Sequence, residues 1–172
     1  MRGLKALVIA VLFLPACAPT SPSSTTITFC GSNPGDNSVY MAKNDTLSSG
    51  DIIAIDVKAN NISGLVYGAA FDVDFDSSKV TYDSKVEGIF LEQGGNSPTY
   101  LVGLQSGSTN KLVIGISRQG NAGGVSGSGT IVTLKFRVTG NSSLTFSNNQ
   151  LLDSNSIHVP GISWSAGTLT AQ

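Results

Sequence analysis

Charged side chains are scarce in this sequence of 172 residues, and neither sign dominates. Lys and Arg number 10, Asp and Glu number 11, and the formal net charge is −1. A chain without a basic excess has no positive patch to neutralise nucleic-acid phosphates, so we expect no nucleic-acid partner. Two cysteines without a Cys-x-x-Cys spacing and a single histidine leave no zinc-binding motif.

Helical amphipathicity is missing as well, because no stretch repeats apolar residues at helical spacing. Hydrophobic residues still make up 40% of the chain, and 20 glycines accompany many Ser, Thr, Asn and Val residues. This composition is typical of an all-β extracellular module with many tight turns. The length fits one domain with an N-terminal appendage.

The clearest strand pattern runs from Val66 to Phe75. Side chains of a strand alternate between two faces, so one row of this segment is predicted to be buried and the other exposed. The buried row comprises Tyr67, Ala69, Phe71, Val73 and Phe75. The exposed row comprises Val66, Gly68, Ala70, Asp72 and Asp74.

Other segments show the same alternation of apolar and polar residues and are separated by turn residues. The segments Thr99–Gln105 and Lys111–Arg118 predict a hairpin, and Asn60–Gly64 predicts a turn. Further strands are predicted at Val39–Ala42, Ile52–Ala59, Lys79–Tyr82, Thr130–Val138, Leu144–Phe146 and Ile162–Thr170. About nine short strands without a helix predict a single all-β sandwich.

The N-terminus has the layout of a targeting segment. Arg2 and Lys5 precede the apolar run Ala6–Leu14, which is too short to span a membrane. The following Leu14-Pro15-Ala16-Cys17 resembles the lipobox of bacterial lipoproteins. That resemblance implies cleavage before Cys17 and lipidation of this residue. The alternative is an ordinary secretory signal cut near Ala16 or Ala18. If Cys17 is retained without acylation, it becomes able to pair with Cys30.

These features divide the chain into three parts. Residues 1–16 are the predicted signal peptide, 17–37 the lipidated cysteine and a flexible Pro/Ser/Thr-rich linker, and 38–172 the sandwich domain. Within the linker, Ile27–Cys30 is either a short strand or part of the tether. We expect a bacterial cell-envelope protein held on the extracytoplasmic side by its lipid alone. By analogy with other lipoproteins, Ala18 allows sorting to an outer membrane.

The domain resembles the cohesin family. The resemblance is carried by Gly64–Tyr82, by the upstream Gly50–Val57, by the downstream Gly127–Val138 and by the closing Ala166–Leu169, in that order. It implies a jelly-roll sandwich of nine strands without enzymatic activity or cofactor. It also implies a sheet face that binds the dockerin module of another secreted protein, in polysaccharide breakdown or surface assembly.

The resemblance places the partner-binding face on the exposed row of Val66–Phe75, at Gly68, Ala70, Asp72 and Asp74. Exposed acidic side chains can pair with Lys or Arg of a partner. Outward residues of the segments 111–118 and 130–138 would complete the face. These are Arg118, Lys135 and Arg137.

The alternating Asp72, Asp74 and Asp76 resemble the start of a calcium loop. The sixth and twelfth positions of that loop require Gly and Glu, and Ser77 and Asp83 stand there. We therefore expect no metal, and we expect Asp76 to accept N–H bonds in the turn that follows it.

Other functions find less support in the sequence. His158 lies near Asp153 and Ser154, but no nucleophile elbow is present, so no catalytic residue is assigned. Direct polysaccharide binding through Trp164 and the tyrosines is the alternative function, although a single Trp in a sandwich is more often part of the core. A purely structural or adhesive lipoprotein is a third interpretation.

Overall fold

The computed structural model describes residues 26–172, which form eleven strands and no helix. The strands are β1 Ile27–Gly31, β2 Ser38–Ser49, β3 Ile52–Val66, β4 Gly68–Asp74, β5 Val80–Glu87, β6 Thr99–Leu104, β7 Lys111–Ser117, β8 Val125–Val138, β9 Ser142–Leu152, β10 Ser163–Ser165 and β11 Gly167–Ala171. The first sheet has the order β1-β11-β9-β4-β7-β6, and the second has the order β10-β2-β3-β8-β5. The all-β sandwich is therefore confirmed.

The core lies between the two sheets and is built from the inward row of each strand. In β4, Phe71 is 2% exposed and Val73 is fully buried, as their alternation predicts. Phe136 of β8 faces them from the second sheet and is also fully buried. Burying one such side chain stabilises the fold by about 1.5–3 kcal/mol, so this row fixes which face of β4 points outward.

The predicted strand from Val66 to Phe75 is divided in the structure. Val66 ends β3 in the second sheet, whereas Gly68 begins β4 in the first. Tyr67 carries the chain between the layers, and its hydroxyl donates to the carbonyl of Gly120 at 2.6 Å. The predicted alternation fails at this crossing, because Val66 has the exposed parity but is fully buried, and Tyr67, predicted to be buried, is only half-buried.

The turn predicted at Asn60–Gly64 is wrong, because β3 continues through this segment to Val66. Its pairing with β8 shifts register between Ala59 and Ile62, and Asn61 has a φ of 45°. A β-bulge uses the same Asn, Ser and Gly residues as a turn, so composition alone does not separate the two.

The sandwich begins before the predicted start at Ser38. The strand β1 pairs antiparallel with β11, from Ile27 opposite Ala171 to Gly31 opposite Gly167. Ile27 is 8% exposed and belongs to the core. The predicted linker 17–37 is thus wrong for residues 27–31, while Cys17 and the signal segment lie outside the described residues.

The segment Ile162–Thr170, predicted as one strand, contributes to both sheets. Ser163–Ser165 pairs in parallel with β2, and Gly167–Ala171 pairs with β1 and β9 in the first sheet. The strand predicted at Leu144–Phe146 is longer than expected and spans Ser142–Leu152.

Candidate partner-binding surface

The outer face of the first sheet is centred on β4, which pairs with β9 on one side and with β7 on the other. Beyond β7, the edge strand β6 completes the sheet. We call the outward side of these four strands the β4 face. Its side chains are Gly68, Ala70, Asp72 and Asp74 of β4, Lys111, Val113, Gly115 and Ser117 of β7, Thr99, Leu101 and Gly103 of β6, and Thr145, Ser147, Gln150 and Leu152 of β9.

One end of the β4 face is a shallow apolar depression of about 460 Å³. Gly68, Ala70 and Gly115 form its floor, where the absence of long side chains leaves space above the sheet. Leu101 and Leu152 border it, and Leu101 is 68% exposed. A large exposed leucine beside a small-residue floor is typical of a surface that contacts another protein.

The other end of the β4 face holds a compact ionic group. The Nζ of Lys111 lies 2.7 Å from Asp74 Oδ1 and 3.5 Å from Asp72 Oδ2. Lys111 Nζ also donates to Ser147 Oγ at 2.9 Å, and Asn148 Nδ2 donates to Asp72 Oδ2 at 2.7 Å. Both carboxylates therefore have partners on the neighbouring strands β7 and β9.

This arrangement lowers the pKa of Asp74 and raises the pKa of Lys111. Burial acts to raise the pKa of Asp74, but hydrogen bonds from Lys111 and Ser147 and the charge of Lys111 outweigh it and lower the pKa. The hydrogen bond to Asp74 in turn raises the pKa of Lys111. Both side chains consequently stay charged around neutral pH, and they compensate each other.

The prediction that Asp72 and Asp74 are freely exposed needs correction. Asp72 is only 8% exposed, because Lys111 and Asn148 lie against it, although no strand formed by residues 26–172 covers the face at this point. The row does point outward, as predicted. Lys111 compensates one of the two carboxylate charges at this end, and the part of the surface without long side chains is the apolar depression.

The predicted exposure of Arg118 is wrong. Arg118 follows directly after β7 and is 5% exposed. Its Nη1 donates to the carbonyl of Leu91, and its Nη2 donates to that of Gln93 at 2.9 Å. Arg118 has the parity of Leu112 and Ile116, which point into the core, so the alternation of β7 continues through position 118 and turns this side chain inward.

The predicted contribution of Lys135 and Arg137 to the β4 face is also wrong. Both residues lie in β8, which pairs with β3 and β5 in the second sheet. Arg137 points outward there and forms an ion pair with Asp51. Strand periodicity predicts which residues are exposed, but it does not say to which layer a strand belongs.

Trp164 does not form an exposed platform. Its ring centroid lies 5.6 Å from that of Phe71 and 5.0 Å from that of Phe146, in tilted and edge-to-face contacts. The indole is packed against the core, which agrees with the expectation that a single Trp in a sandwich belongs to the core. The structure therefore gives the sugar-binding interpretation no aromatic surface at this residue.

The acidic residues outside the β4 face serve local turns. Asp76 Oδ1 accepts from the N–H of Ser78 at 2.9 Å, which confirms the predicted turn. Asp153 Oδ1 accepts from the N–H groups of Asn155 and Ile157, each within 2.9 Å, and these bonds lower the pKa of Asp153.

Among residues 26–172, no three His, Cys, Asp or Glu side chains are grouped to hold a metal. In the same part of the chain, no helix has the length and apolar character needed to cross a membrane.

Sequence reasoning missed the residues that shape the depression. Leu101, Gly115 and Leu152 lie on three different strands, and only pairing brings them together around Gly68 and Ala70. The predicted hairpin of segments 99–105 and 111–118 could have indicated part of the depression, because the register of this hairpin sets Leu101 opposite Gly115.

Comparisons with known proteins agree with this architecture. A family model described as the cohesin domain matches residues 38–159. A search of curated protein sequences found no match.

Solved structures share the fold at low identity. A type II cohesin domain from the cellulosome of Acetivibrio cellulolyticus has a TM-score of 0.60 and 16% identity, covering 77% of this chain and 94% of that one. A non-cellulosomal cohesin from Archaeoglobus fulgidus has a TM-score of 0.51 and 21% identity, covering 83% and 86%. The third cohesin of ScaC from A. cellulolyticus, solved in complex with the ScaB dockerin, has a TM-score of 0.60 and 15% identity, covering 76% and 95%.

Proposed function

The chain belongs to the cohesin family, and we propose that its β4 face binds the dockerin module of another secreted protein. A cohesin of similar fold has been solved in complex with a dockerin. The role proposed here is binding without catalysis.

The observation that carries the proposal is the shape of the β4 face. Strands spaced about 4.8 Å apart set β9 and β6 roughly 14 Å from each other, which matches the 10–12 Å width of a helix with its side chains. The Gly68, Ala70 and Gly115 floor lets a helix approach closely at one end. Leu101 offers an apolar contact at the rim, where it is 68% exposed.

The ionic group at the other end determines which charge the partner supplies. Lys111 brings one positive charge against the two negative charges of Asp72 and Asp74, so this end of the β4 face keeps a net charge of −1. Burying an uncompensated charge costs several kcal/mol, so a positively charged side chain of the partner favours covering this end. We propose a helix that places an aliphatic side chain in the depression and a Lys or Arg side chain near Asp72 and Asp74.

Isothermal titration of residues 18–172 with the dockerin modules encoded in the same genome tests this function. A Leu101→Arg substitution sets a charge at the rim of the depression and is expected to weaken binding by about 30-fold or more, the effect of a central interface residue. The matched control is Val86→Arg, because Val86 is 38% exposed and lies on β5 in the second sheet. Failure of every dockerin to bind at micromolar concentration, or equal loss in both variants, would contradict the proposal.

We further propose that the chain is a lipoprotein of the bacterial cell envelope, anchored on the extracytoplasmic side through Cys17. The support is the sequence layout Arg2, Lys5, apolar run, Leu14-Pro15-Ala16-Cys17. Residues 17–25 would then form the tether, with a reach of about 30 Å when extended. Such a protein would hold a dockerin-bearing protein, for polysaccharide breakdown or surface assembly, near the membrane.

A further inference from the structure

Arg118 carries a positive charge that is buried without an acidic partner. It is 5% exposed, and no carboxylate of residues 26–172 lies within 4.0 Å of its guanidinium. Two carbonyl oxygens, of Leu91 and Gln93, accept from its Nη atoms. Its Nε is buried and finds no hydrogen-bond partner among the residues that the structure describes. A guanidinium has five N–H donors, so this side chain retains donors and an uncompensated charge.

A hollow of about 470 Å³ opens beside Arg118. Arg118, Gln93, Gly94, the loop residues 122–124 and the first two residues of β8, Val125 and Ser126, line it. Within residues 26–172, the backbone N–H groups of residues 122–124 donate to no acceptor. The hollow therefore combines a buried cation with backbone donors that are not used by the fold, and this combination is how proteins bind anions.

We propose that this hollow binds a small oxyanion-bearing molecule, with a carboxylate or phosphate group held by Arg118 and the N–H groups of residues 122–124. Charge-assisted hydrogen bonds of this kind are about twice as strong as neutral ones, and they would compensate the guanidinium. A volume of about 470 Å³ accommodates a molecule of monosaccharide size, such as a sugar acid.

The hollow is separate from the β4 face. Arg118 lines the hollow, whereas the next residue, Gln119, lines the apolar depression together with Thr99 and Leu101. No residue lines both concavities. The anion site consequently does not depend on dockerin binding, and its test needs no dockerin.

The test is an NMR titration of ¹⁵N-labelled residues 18–172 with three probes: galacturonate, the neutral galactose and inorganic phosphate. We expect galacturonate to shift the Arg118 Nε–H signal and the amide signals of residues 122–124, and galactose to leave them unchanged. Shifts with phosphate but not galacturonate would assign the site to phosphate groups and would still support an oxyanion site. Equal shifts with galactose, or no shift with either anion at millimolar concentration, would overturn the proposal.

A charge substitution gives a second measurement that leaves the buried Arg118 in place. Ser126 is exposed and lines the hollow. Ser126→Asp adds a negative charge there and is expected to raise the dissociation constant of the bound anion about tenfold. Ser126→Asn has nearly the same shape without the charge, and it should bind as the native chain does. An equal effect of both substitutions would also overturn the proposal.

Discussion

Gly88 stands at the end of β5, where its backbone passes directly against β8. A Cβ atom placed on it would lie 2.2 Å from the carbonyl oxygen of Thr130 and 2.5 Å from the carbonyl carbon of Ile131. Gly103 on β6 differs, because nothing lies within 4 Å of its Cβ position. The requirement for glycine at position 88 therefore comes from close packing of two backbones.

We predict that Gly88→Ala destabilises the domain by about 1–3 kcal/mol, since backbone atoms of β8 must move to admit the methyl group. Gly103→Ala is the control and should be neutral or stabilising by about 0.4–1 kcal/mol, because alanine restricts the unfolded chain. Urea unfolding followed by tryptophan fluorescence measures both. Similar midpoints for Gly88→Ala and the native chain would show that the close approach is not present.

The ion pairs of Lys111 make a second prediction at the residue scale, on pH dependence. The pKa of Asp74 is lowered in the folded chain, so its contribution to stability is present above the ordinary value of 3.8 and is lost as pH falls through the lower folded value. Lys111→Met removes the partner that lowers the pKa of Asp74. We therefore expect this variant to lose less stability than the native chain between neutral and strongly acidic pH.

Thermal unfolding at a series of pH values measures this difference. Lys58→Met is the control, because it removes the same charge from the second sheet at a site where residues 26–172 provide no carboxylate within 4.0 Å. An equal fall of the melting temperature at acidic pH in the Lys111 variant and in the native chain would contradict the ion pair assigned to Lys111 and Asp74.

At the scale of elements, β1 decides where the folded domain begins. It lies at the edge of the first sheet and pairs only with β11. The backbone of Thr26 also exchanges two hydrogen bonds with Gln172, at 2.8 and 3.0 Å. Because Ile27 is in the core, the N-terminal strand holds the C-terminal strand in place.

We predict that a chain beginning at Ser38, the domain start expected from the sequence, unfolds at a lower temperature than one beginning at Thr26. Removing β1 exposes the edge of β11 and withdraws Ile27, whose burial contributes about 1.5–3 kcal/mol. A chain beginning at Ala18 serves as the control and should match the one from Thr26. Equal melting temperatures for all three chains would show that β1 adds nothing to the sandwich.

The two cysteines have different positions in the whole molecule. Cys30 lies on β1, is exposed and forms no disulfide within residues 26–172, whereas Cys17 belongs to the proposed anchor. The tether would enter the domain at β1, and β1 and β6 are opposite edges of the first sheet. Five strand spacings, about 24 Å, would separate the attachment point from Leu101, so the anchor leaves the depression accessible.

We predict that the native chain, isolated from bacterial membranes, has an intact mass that exceeds residues 17–172 by the mass of its acyl chains. Cys17→Ala should abolish this increment, because the acyl chains are attached to that cysteine. Cys30→Ala should retain it. A native chain with the mass of an unmodified polypeptide would instead favour ordinary secretion.

The sequence by itself determined the alternation of β4. Apolar residues alternate with small or acidic residues at the period of a strand. Because the hydrophobic effect places the apolar row in the core, Phe71 and Val73 are buried and Ala70 faces outward. The resemblance to cohesins rested on the same local patterns, and the family match confirms it.

Only the tertiary structure decided which strands share a sheet and which side chains meet. Lys135 and Arg137 have the exposed parity but lie in the second sheet, and the buried Arg118 finds its acceptors in the carbonyl oxygens of Leu91 and Gln93, more than twenty residues earlier in the chain. Alternation is a property of neighbouring residues, whereas sheet membership depends on pairing between strands far apart in the chain. For that reason the depression, the ion pairs of Lys111 with Asp72 and Asp74, and the hollow beside Arg118 appear only when the layers are assembled.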